Sequence, residues 1–402
     1  MAARNLMIAR IVFFTWVVLS VPWSQASGQV TGTVFNDRNG NGQRDAGEPG
    51  TARVVVSNQV DAVTTDSSGT FHLRGSGTGV VFVSIPNGQR ATTRFWQPAN
   101  AASIAFGLTP SPVQDAFSFI HASDTHIQPS SVPRVDRLRA IIDSVGPAFV
   151  LVTGDLTRDA LRVPEAEARG YYELYLKETA RITMPVWSVP GNHELFGIER
   201  HLSLVSTKHP LYGRGMYRHY LGPDYYSFNA GGVHFVGLNT ADNDDLWYYG
   251  HVDSTQLRWL ANDLSHVPSD VPVVTFNHIP FASGMPSLAG VEYEPPAPTI
   301  FRVKGKDVFR HVVSNLEEVL AVVGTRPFPL ALGGHNHARE RLEFATQGRA
   351  PIRFEQTGAV VGPAGMPWYP MASGVTVYTV RGGRVSEGTF VRLDPVTPSR
   401  PE

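Results

Sequence analysis

Five short polar segments each follow a predicted strand, although long stretches of chain separate them. The segments are Asp124-Thr125-His126, Gly154-Asp155, Gly191-Asn192-His193-Glu194, Asn277-His278 and Gly334-His335-Asn336-His337. In open α/β sheets, ligands bind beyond the carboxyl ends of the strands, so segments placed there can meet at one edge. Carboxylate, amide and imidazole side chains without a thiolate suit divalent Mn, Fe, Co, Ni or Zn. The pattern therefore predicts a site for two such metals.

The chain from residue 117 onward alternates predicted strands and helices, which indicates an α/β fold. Apolar residues at helical spacing predict helices over 134–145, 165–179, 254–264 (with Ser254 as N-cap) and 308–323. Short apolar runs predict strands at 117–122, 148–153, 186–189, 225–228, 233–238, 271–276 and 329–332. The pattern returns to strands at 341–344, 352–356, 375–380 and 384–393. We assign residues 113–394 to this domain and residues 395–402 to a tail.

The preceding residues, 27–112, predict a small all-β sandwich. Short β-branched or aromatic runs at 30–35, 53–57, 70–73 and 80–85 are separated by clusters of Gly, Asn, Asp and Pro. Residues 109–113 contain two prolines in a short polar stretch and form the expected linker.

Residues 1–26 have the pattern of an export signal. Arg4 and Arg10 precede an apolar run over 11–21, and Ser24-Gln25-Ala26 offers small residues for cleavage after Ala26. A membrane anchor is the alternative, but a spanning helix needs about 20 apolar residues. We therefore expect a periplasmic or extracellular protein without a transmembrane anchor after processing.

Charge and cysteine content restrict the function classes. The net charge is -1, from 34 basic and 35 acidic residues, and basic residues form no local cluster. Proteins that hold nucleic acid by bulk charge carry a basic patch, so we expect no such binding. The chain contains no cysteine, which excludes disulfides and zinc–thiolate sites.

The ordered motifs D-x-H, G-D, G-N-H-E, H and G-H-x-H resemble those of the calcineurin-like metallophosphoesterases. The resemblance covers about residues 115–393 and implies an αββα sandwich in which two metals share one carboxylate. In the purple acid phosphatase branch, a tyrosine lies three residues after the shared aspartate. Arg158 occupies that position here, which argues against an iron–tyrosinate centre.

The resemblance also implies a role for each motif residue. One metal would be held by Asp124, His126, Asp155 and His337, and the other by Asp155, Asn192, His278 and His335. Asp155 would bridge the metals, in keeping with the spacing of about 3.5–4 Å in two-metal sites. A hydroxide bridging the metals would attack phosphorus. His193 would contact the substrate, either stabilising charge or protonating the leaving oxygen. Glu194 is expected to orient its neighbours.

A second metal site is predicted in the N-terminal region. Residues 37–48 fit the twelve-residue calcium-loop spacing D-x-[DN]-x-[DN]-G-x5-E. The candidate ligands are Asp37, Asn39, Asn41, Gln43 (through its carbonyl), Asp45 and Glu48. The flanking segments are predicted strands, so the loop resembles the calcium loops of bacterial surface β-sandwich modules. A solvated turn that binds nothing is the alternative.

Two long segments, 242–251 and 283–306, contain aromatic residues and would either cover the substrate or pack against the fold. Taken together, these features predict an exported, binuclear metal-dependent phosphoesterase. Its substrate would be a small-molecule or headgroup phosphomonoester or phosphodiester. The alternatives are a nucleotide pyrophosphatase and a non-catalytic surface-binding protein.

Overall fold

The computed structural model describes residues 28–112, 116–289, 298–345, 350–362 and 371–394. The predicted export signal and the predicted tail lie outside the described residues. Among the described residues, no helix has the length and apolar character needed to cross a membrane.

The N-terminal region consists of two four-stranded sheets, which confirms the all-β prediction. Its strands are β1 (Val30–Asn36), β2 (Val55–Ser57), β3 (Ala62–Thr64), β4 (Thr70–Leu73), β5 (Val80–Ser84), β6 (Gln89–Ala91), β7 (Trp96–Pro98) and β8 (Ala105–Pro110). The sheet orders are β4-β1-β8-β6 and β3-β2-β5-β7. Buried Val34, Phe71, Phe82 and Phe106 belong to the core that these sheets help to form. The sequence analysis missed β3, β6, β7 and β8, three of which have only three residues.

The remaining strands form two six-stranded sheets and two hairpins. They are β9 (Ala116–Ala122), β10 (Phe149–Thr153), β11 (Val186–Val189), β12 (Tyr226–Ala230), β13 (Val233–Leu238), β14 (Ala241–Asp244), β15 (Trp247–Gly250), β16 (Val273–Asn277), β17 (Ile300–Val303), β18 (Lys306–Phe309), β19 (Leu330–Gly333), β20 (Glu340–Phe344), β21 (Ile352–Gln356), β22 (Gly374–Arg381), β23 (Arg384–Val385) and β24 (Thr389–Arg392). One sheet has the order β11-β10-β9-β22-β23, with β24 also paired to β22. The other has the order β12-β13-β16-β19-β21-β20.

Helices connect and cover these sheets. They are α1 (Val132–Val145), α2 (Glu165–Thr179), α3 (Arg200–Ser203), α4 (Gly215–Leu221), α5 (Ser254–Ser265), α6 (Met285–Ala289) and α7 (Leu316–Val323), with 3₁₀ turns at Pro129–Ser131 and Asn192–Glu194. The α/β class predicted from the sequence is confirmed.

Strands β9 and β10 are mostly apolar, because β10 and the second half of β9 are buried on both faces. Alternate side chains point to opposite faces of a strand. Phe119 and Leu151 belong to the core shared with the second sheet, where the ring of Phe119 lies 5.6 Å from that of Phe235. Ile120 and Val150 instead pack with α1 and α2. Burial of each such side chain contributes about 1.5–3 kcal/mol to folding.

The N-terminal sheets pack directly against the α/β region. Phe82 of β5 contacts the rings of Tyr226 and Trp259 at centroid distances of 6.4 and 6.3 Å. Tyr225 and Gln59 are joined by two hydrogen bonds, from the Tyr225 hydroxyl to the Gln59 carbonyl (2.6 Å) and from Gln59 Nε2 to the Tyr225 carbonyl (2.8 Å). These residues lie in or beside one continuous hydrophobic core.

Two predicted elements differ from the structure. The helix predicted over 308–323 begins only at Leu316, because residues 306–309 pair with β17 as a hairpin. Residues 242–251, predicted as an irregular loop, mostly form the hairpin of β14 and β15. A smaller difference concerns α5, which is capped by Asp253 instead of Ser254, since the Asp253 carboxylate accepts bonds from the amides of Thr255 and Gln256.

Candidate metal centre

All five motif segments meet at one edge of the sheets. β9, β10 and β11 run parallel in one sheet, and β13, β16 and β19 run parallel in the other. Each motif segment follows one of five of these strands, in chain order β9, β10, β11, β16 and β19. The convergence expected from strand ends is therefore present in the structure.

Five of the predicted ligands have a left-handed backbone, which is uncommon for residues other than glycine. The φ angles are 54° at Asp124, 37° at His126, 48° at Asp155, 71° at His335 and 52° at His337. Such conformations cluster at functional sites, where the surrounding fold holds them in place. Here they occur in the segments that follow β9, β10 and β19.

The first group consists of Asp124, His126, Asp155 and His337, whose ligand atoms all lie within 4.8 Å of one another. The Nε2 atoms of His126 and His337 are 3.2 Å apart. His337 Nε2 lies 3.2 Å from Asp124 Oδ1, and His126 Nε2 lies 3.5 Å from Asp155 Oδ2.

The second group consists of Asp155, His278 and His335. His278 Nε2 lies 3.2 Å from Asp155 Oδ1 and 3.1 Å from Asn192 Oδ1. His335 Nδ1 lies 3.2 Å from His278 Nε2. The two oxygens of Asp155 thus face different groups, in the arrangement that a bridging carboxylate requires.

The donor atoms fit a pair of divalent cations. Buried carboxylate oxygens and imidazole nitrogens point at common centres, an arrangement that positive charge stabilises. Glycines preserve the close approach: a Cβ at Gly191 would lie 2.2 Å from Asp155 Oδ1, and one at Gly154 would lie 2.6 Å from the His278 ring. The residue cluster is therefore suited to a divalent metal centre.

Electrostatics couple Asp155 to its imidazole neighbours. Burial would raise the pKa of Asp155, but His278 and His193 oppose it and hold the pKa well below the usual range. Burial would likewise lower the pKa of His278, yet Asp155 raises that pKa to about 9. Each group therefore favours the charged form of the other in the protein without metal.

Glu194 fixes the turn that carries Asp155, as the sequence analysis expected. The buried Oε1 of Glu194 accepts hydrogen bonds from the backbone amides of Leu156 and Thr157, both at 2.9 Å, and from the Thr157 hydroxyl. Its Oε2 accepts the amide of Gly191 at 2.7 Å. Glu194 thereby joins the second and third motif segments through their backbones.

His193 lies beside both groups. Its ring is 4.7 Å from that of His126, and its Nε2 lies 3.9 Å from Asp155 Oδ2. The Nδ1 atom is 2.9 Å from the carbonyl of Arg158 and donates to it. Burial lowers the pKa of His193 to about 3. The Nε2 atom therefore faces the centre, where a substrate oxygen would lie.

Tyr248 and His311 line the second group. Tyr248 belongs to the segment of residues 242–251 that was predicted to cover the substrate or pack against the fold, whereas His311 was not predicted at the site. The Tyr248 ring lies 5.9 Å from the His335 ring, nearly perpendicular to it, and His311 Nδ1 lies 2.7 Å from His335 Nε2. No motif spacing marks either residue. Residues 308–323 were predicted as one helix, so His311 had no predicted place at the site. In the structure, the pairing of β17 with β18 brings His311 to the site.

The predicted calcium loop is an ordered turn between β1 and β2. Asp37 accepts the amides of Gly40 and Gly42 at 2.7 and 2.8 Å, and Glu48 accepts those of Arg38 and Asp45 at 2.8 and 3.0 Å. The remaining candidates are also close: the side-chain amides of Asn39 and Asn41 donate to Asp45, and Asn41 Oδ1 accepts the amide of Gln43.

Comparisons with known proteins agree with this geometry. The family model of calcineurin-like phosphoesterases matches residues 117–338. The chain is 25% identical over 214 residues to a 3',5'-cyclic-nucleotide phosphodiesterase of Nostoc sp., covering 52% of this chain and 61% of that protein. It is 26% identical over 223 residues to purple acid phosphatase 23 of Arabidopsis thaliana, covering 47% of this chain and 45% of that protein.

The chain thus spans roughly half the length of these curated relatives. Among solved structures, a dimetal phosphatase from Danio rerio matches 69% of this chain and 99% of its own, with a TM-score of 0.44 and 14% identity. The family model covers more than half of the chain and includes all five motif segments up to His337. The chain therefore belongs to the calcineurin-like phosphoesterase family.

Proposed function

We propose that the protein is an exported, binuclear metal-dependent phosphoesterase that hydrolyses a small-molecule or headgroup phosphomonoester or phosphodiester. The observation that carries this proposal is the position of Asp155, whose two carboxylate oxygens face two separate groups of ligand atoms. A site for a single metal would not need a carboxylate shared in this way. The family and the hydrolytic names of both curated relatives support the same reaction class.

In the proposed mechanism, Asp124, His126, Asp155 and His337 would hold one cation, and Asp155, Asn192, His278 and His335 would hold the other. When bound, these cations would supply Lewis acidity toward the phosphoryl oxygens and would lower the pKa of the attacking water. The Thr153 carbonyl keeps the proton of His278 on Nδ1, at 2.8 Å, which leaves Nε2 directed at the centre. His193 donates its Nδ1–H to the Arg158 carbonyl, and burial lowers its pKa to about 3, so the neutral ring presents Nε2 as an acceptor. It would donate from Nε2 to a substrate oxygen or to the leaving oxygen once the bound phosphoryl charge raises that pKa.

The non-phosphate part of the substrate is proposed to lie along the hairpin of β14 and β15. Trp247 at its tip is half-buried, and Tyr248 stands edge-on to His335. Arg310 is 1% exposed and stacks over Tyr248 at 4.1 Å, which fixes the ring. Tyr248 is itself 1% exposed, so half-buried Trp247, whose ring lies 5.8 Å from the Arg310 guanidinium, is the aromatic surface offered to a planar or hydrophobic leaving group. The cyclic-nucleotide activity named for the Nostoc relative makes a nucleotide diester the first substrate to test.

The central experiment compares wild-type protein with Asp155→Asn after loading with manganese. We expect wild-type turnover of bis-p-nitrophenyl phosphate, p-nitrophenyl phosphate or 3',5'-cyclic AMP. We expect the variant to lose several orders of magnitude in rate and to bind both ions more weakly. Asp270→Asn, at an exposed carboxylate, is the matched control. A variant that kept most of its rate would refute the bridging role, and a metal-loaded wild type inactive on every ester would favour a surface-binding protein.

Export and calcium binding are separate proposals. The charged, apolar and small-residue order of residues 1–26 supports export, and mass spectrometry of the secreted protein would detect an N-terminus at Ser27. For the loop of residues 37–48, the twelve-residue spacing of oxygen-bearing residues supports one structural Ca²⁺. Calorimetry on the whole protein should show binding that Asp37→Ala abolishes. Absence of a calcium signal up to about millimolar levels, the weak end of extracellular sites, would leave a solvated turn.

A further inference from the structure

His311 lies directly behind the His335 side chain, on the side away from the proposed cation. The two rings meet edge to edge, with centroids 5.0 Å apart and planes 21° from parallel. His311 Nδ1 and His335 Nε2 are 2.7 Å apart, within the range of a good hydrogen bond. His311 is 2% exposed, so bulk water does not replace this contact.

The geometry decides which nitrogen carries the shared hydrogen. His335 Nδ1 faces His278 Nε2 at 3.2 Å and therefore points to the common centre with Asp155. A neutral imidazole that offers its Nδ1 lone pair to a cation carries its hydrogen on Nε2. His335 Nε2–H consequently donates, and His311 Nδ1 accepts.

The segment that carries His311 is held by its backbone. The Arg310 amide donates to the Thr299 carbonyl at 2.8 Å, and the Val313 amide donates to the Pro280 carbonyl at 2.9 Å. Pro280 lies only two residues after His278 in the chain. The acceptor nitrogen is therefore positioned by the same part of the fold that positions another predicted ligand.

We propose that His311 is a positioning residue that fixes the orientation and tautomer of His335 and so sets the affinity for the second cation. This inference rests on the binuclear function proposed above. Histidines that bind metals usually donate their outer N–H to a carboxylate, a carbonyl or water. The outer nitrogen of His278 follows that rule with the Thr153 carbonyl, whereas the outer nitrogen of His335 uses an imidazole.

Because the partner of His335 is a side chain, substitution can remove it without changing a ligand. His311→Leu and His311→Phe both remove the acceptor, and the phenylalanine keeps an aromatic ring at this position. His311→Asn retains an acceptor at nearly the position of Nδ1. The exposed His219→Leu on α4 is the control. The measurements are calorimetric titration with Co²⁺ alone, elemental analysis of bound cobalt, and its visible absorption, which reports on the ligand field.

We expect wild-type protein, His219→Leu and His311→Asn to bind two cobalt ions. The two acceptor-free variants should bind one ion as wild type does and the other about 10- to 100-fold more weakly. If the leucine variant does not fold, the phenylalanine variant decides the result.

Two outcomes would overturn the role of His311 alone. One is that the acceptor-free variants bind both cobalt ions with wild-type affinity. The other is that His311→Asn binds the second cobalt ion as weakly as His311→Phe does. Wild-type protein that binds fewer than two ions would instead overturn the binuclear function, and this inference with it.

Discussion

A single buried carboxylate, that of Glu194, holds together the backbone on which the metal centre depends. Its two oxygens accept four hydrogen bonds, three of them from main-chain amides. In Glu194→Gln, the side-chain NH₂ would face at least one of these amides, and an unsatisfied buried donor costs about 1–3 kcal/mol. We expect urea unfolding to show that loss and metal titration to show weaker binding of both ions. The exposed Glu173→Gln should change neither quantity, and an unchanged Glu194→Gln would remove the orienting role.

The role of His193 can be tested separately from metal binding, because His193 lies beside the centre without belonging to either group of ligand atoms. We expect His193→Ala to retain two metals and to lose about 10²–10⁴-fold in turnover, the usual contribution of a positioned proton donor or acceptor. Elemental analysis and steady-state kinetics on the same preparation check both statements. Loss of one metal equivalent would make His193 a ligand.

Residues whose chemistry is tied to a motif could be predicted from the sequence, and residues whose position depends on tertiary pairing could not. Asp124, Asp155 and His278 follow predicted strands, so strand geometry alone brings them together. His311 reaches the centre only because residues 306–309 turn back as a hairpin. A local pattern contains no information about that pairing.

At the scale of elements, an ion-pair network connects α4 to the start of β12. Arg218 donates two bonds to Asp224, at 2.8 and 3.1 Å, and Asn239 donates a third at 3.1 Å. Burial alone would raise the pKa of Asp224, but Arg218 and Arg214 lower it from 3.8 to about 2. The folded protein therefore holds this proton less tightly than the unfolded chain does.

This depressed pKa fixes the sign of a pH effect. The stabilisation from ionised Asp224 is complete above the unfolded value and is lost as the pH falls through the folded value. It amounts to about 2 kcal/mol. We expect Asp224→Asn to lower the free energy of unfolding by that order at neutral pH, with the difference shrinking between about pH 4 and 2. Urea titrations across this range test it, with Asp270→Asn as control; a difference independent of pH would contradict the assignment.

Helical periodicity gave a partly wrong prediction for residues 308–323. Apolar residues at Val308, Val312, Val319 and Val323 are compatible with one helical face. In the structure, the first of these lies in β18, where it packs with Tyr249 and Val303, and only the last two lie in α7. The local sequence around Val308 is compatible with a helix or a strand, and tertiary packing favours the strand. By contrast, α2 has the bounds predicted for it.

For the whole molecule, the shared hydrophobic core predicts that the two regions unfold together. Phe82 is fully buried between the N-terminal sheets and Trp259 of the α/β region. Phe82→Ala should cost about 3–5 kcal/mol and shift one calorimetric transition to lower temperature. Phe71→Ala, in the same core but within the N-terminal sheets, is the comparison. Two separate transitions in either protein would show that the regions are independent.

The left-handed backbone at Asp124, His126, Asp155, His335 and His337 sets folding stability against the requirement for these side chains. Each such conformation costs of order 1–3 kcal/mol, and glycine would adopt it without strain. The residues proposed to hold the metals are thus the ones whose backbone conformations weaken the folded protein. In a related protein that no longer needs catalytic turnover, selection for thermal stability would favour glycine or asparagine at these five positions first. Substitution of these five residues in a related sequence would then indicate that its metal site no longer functions.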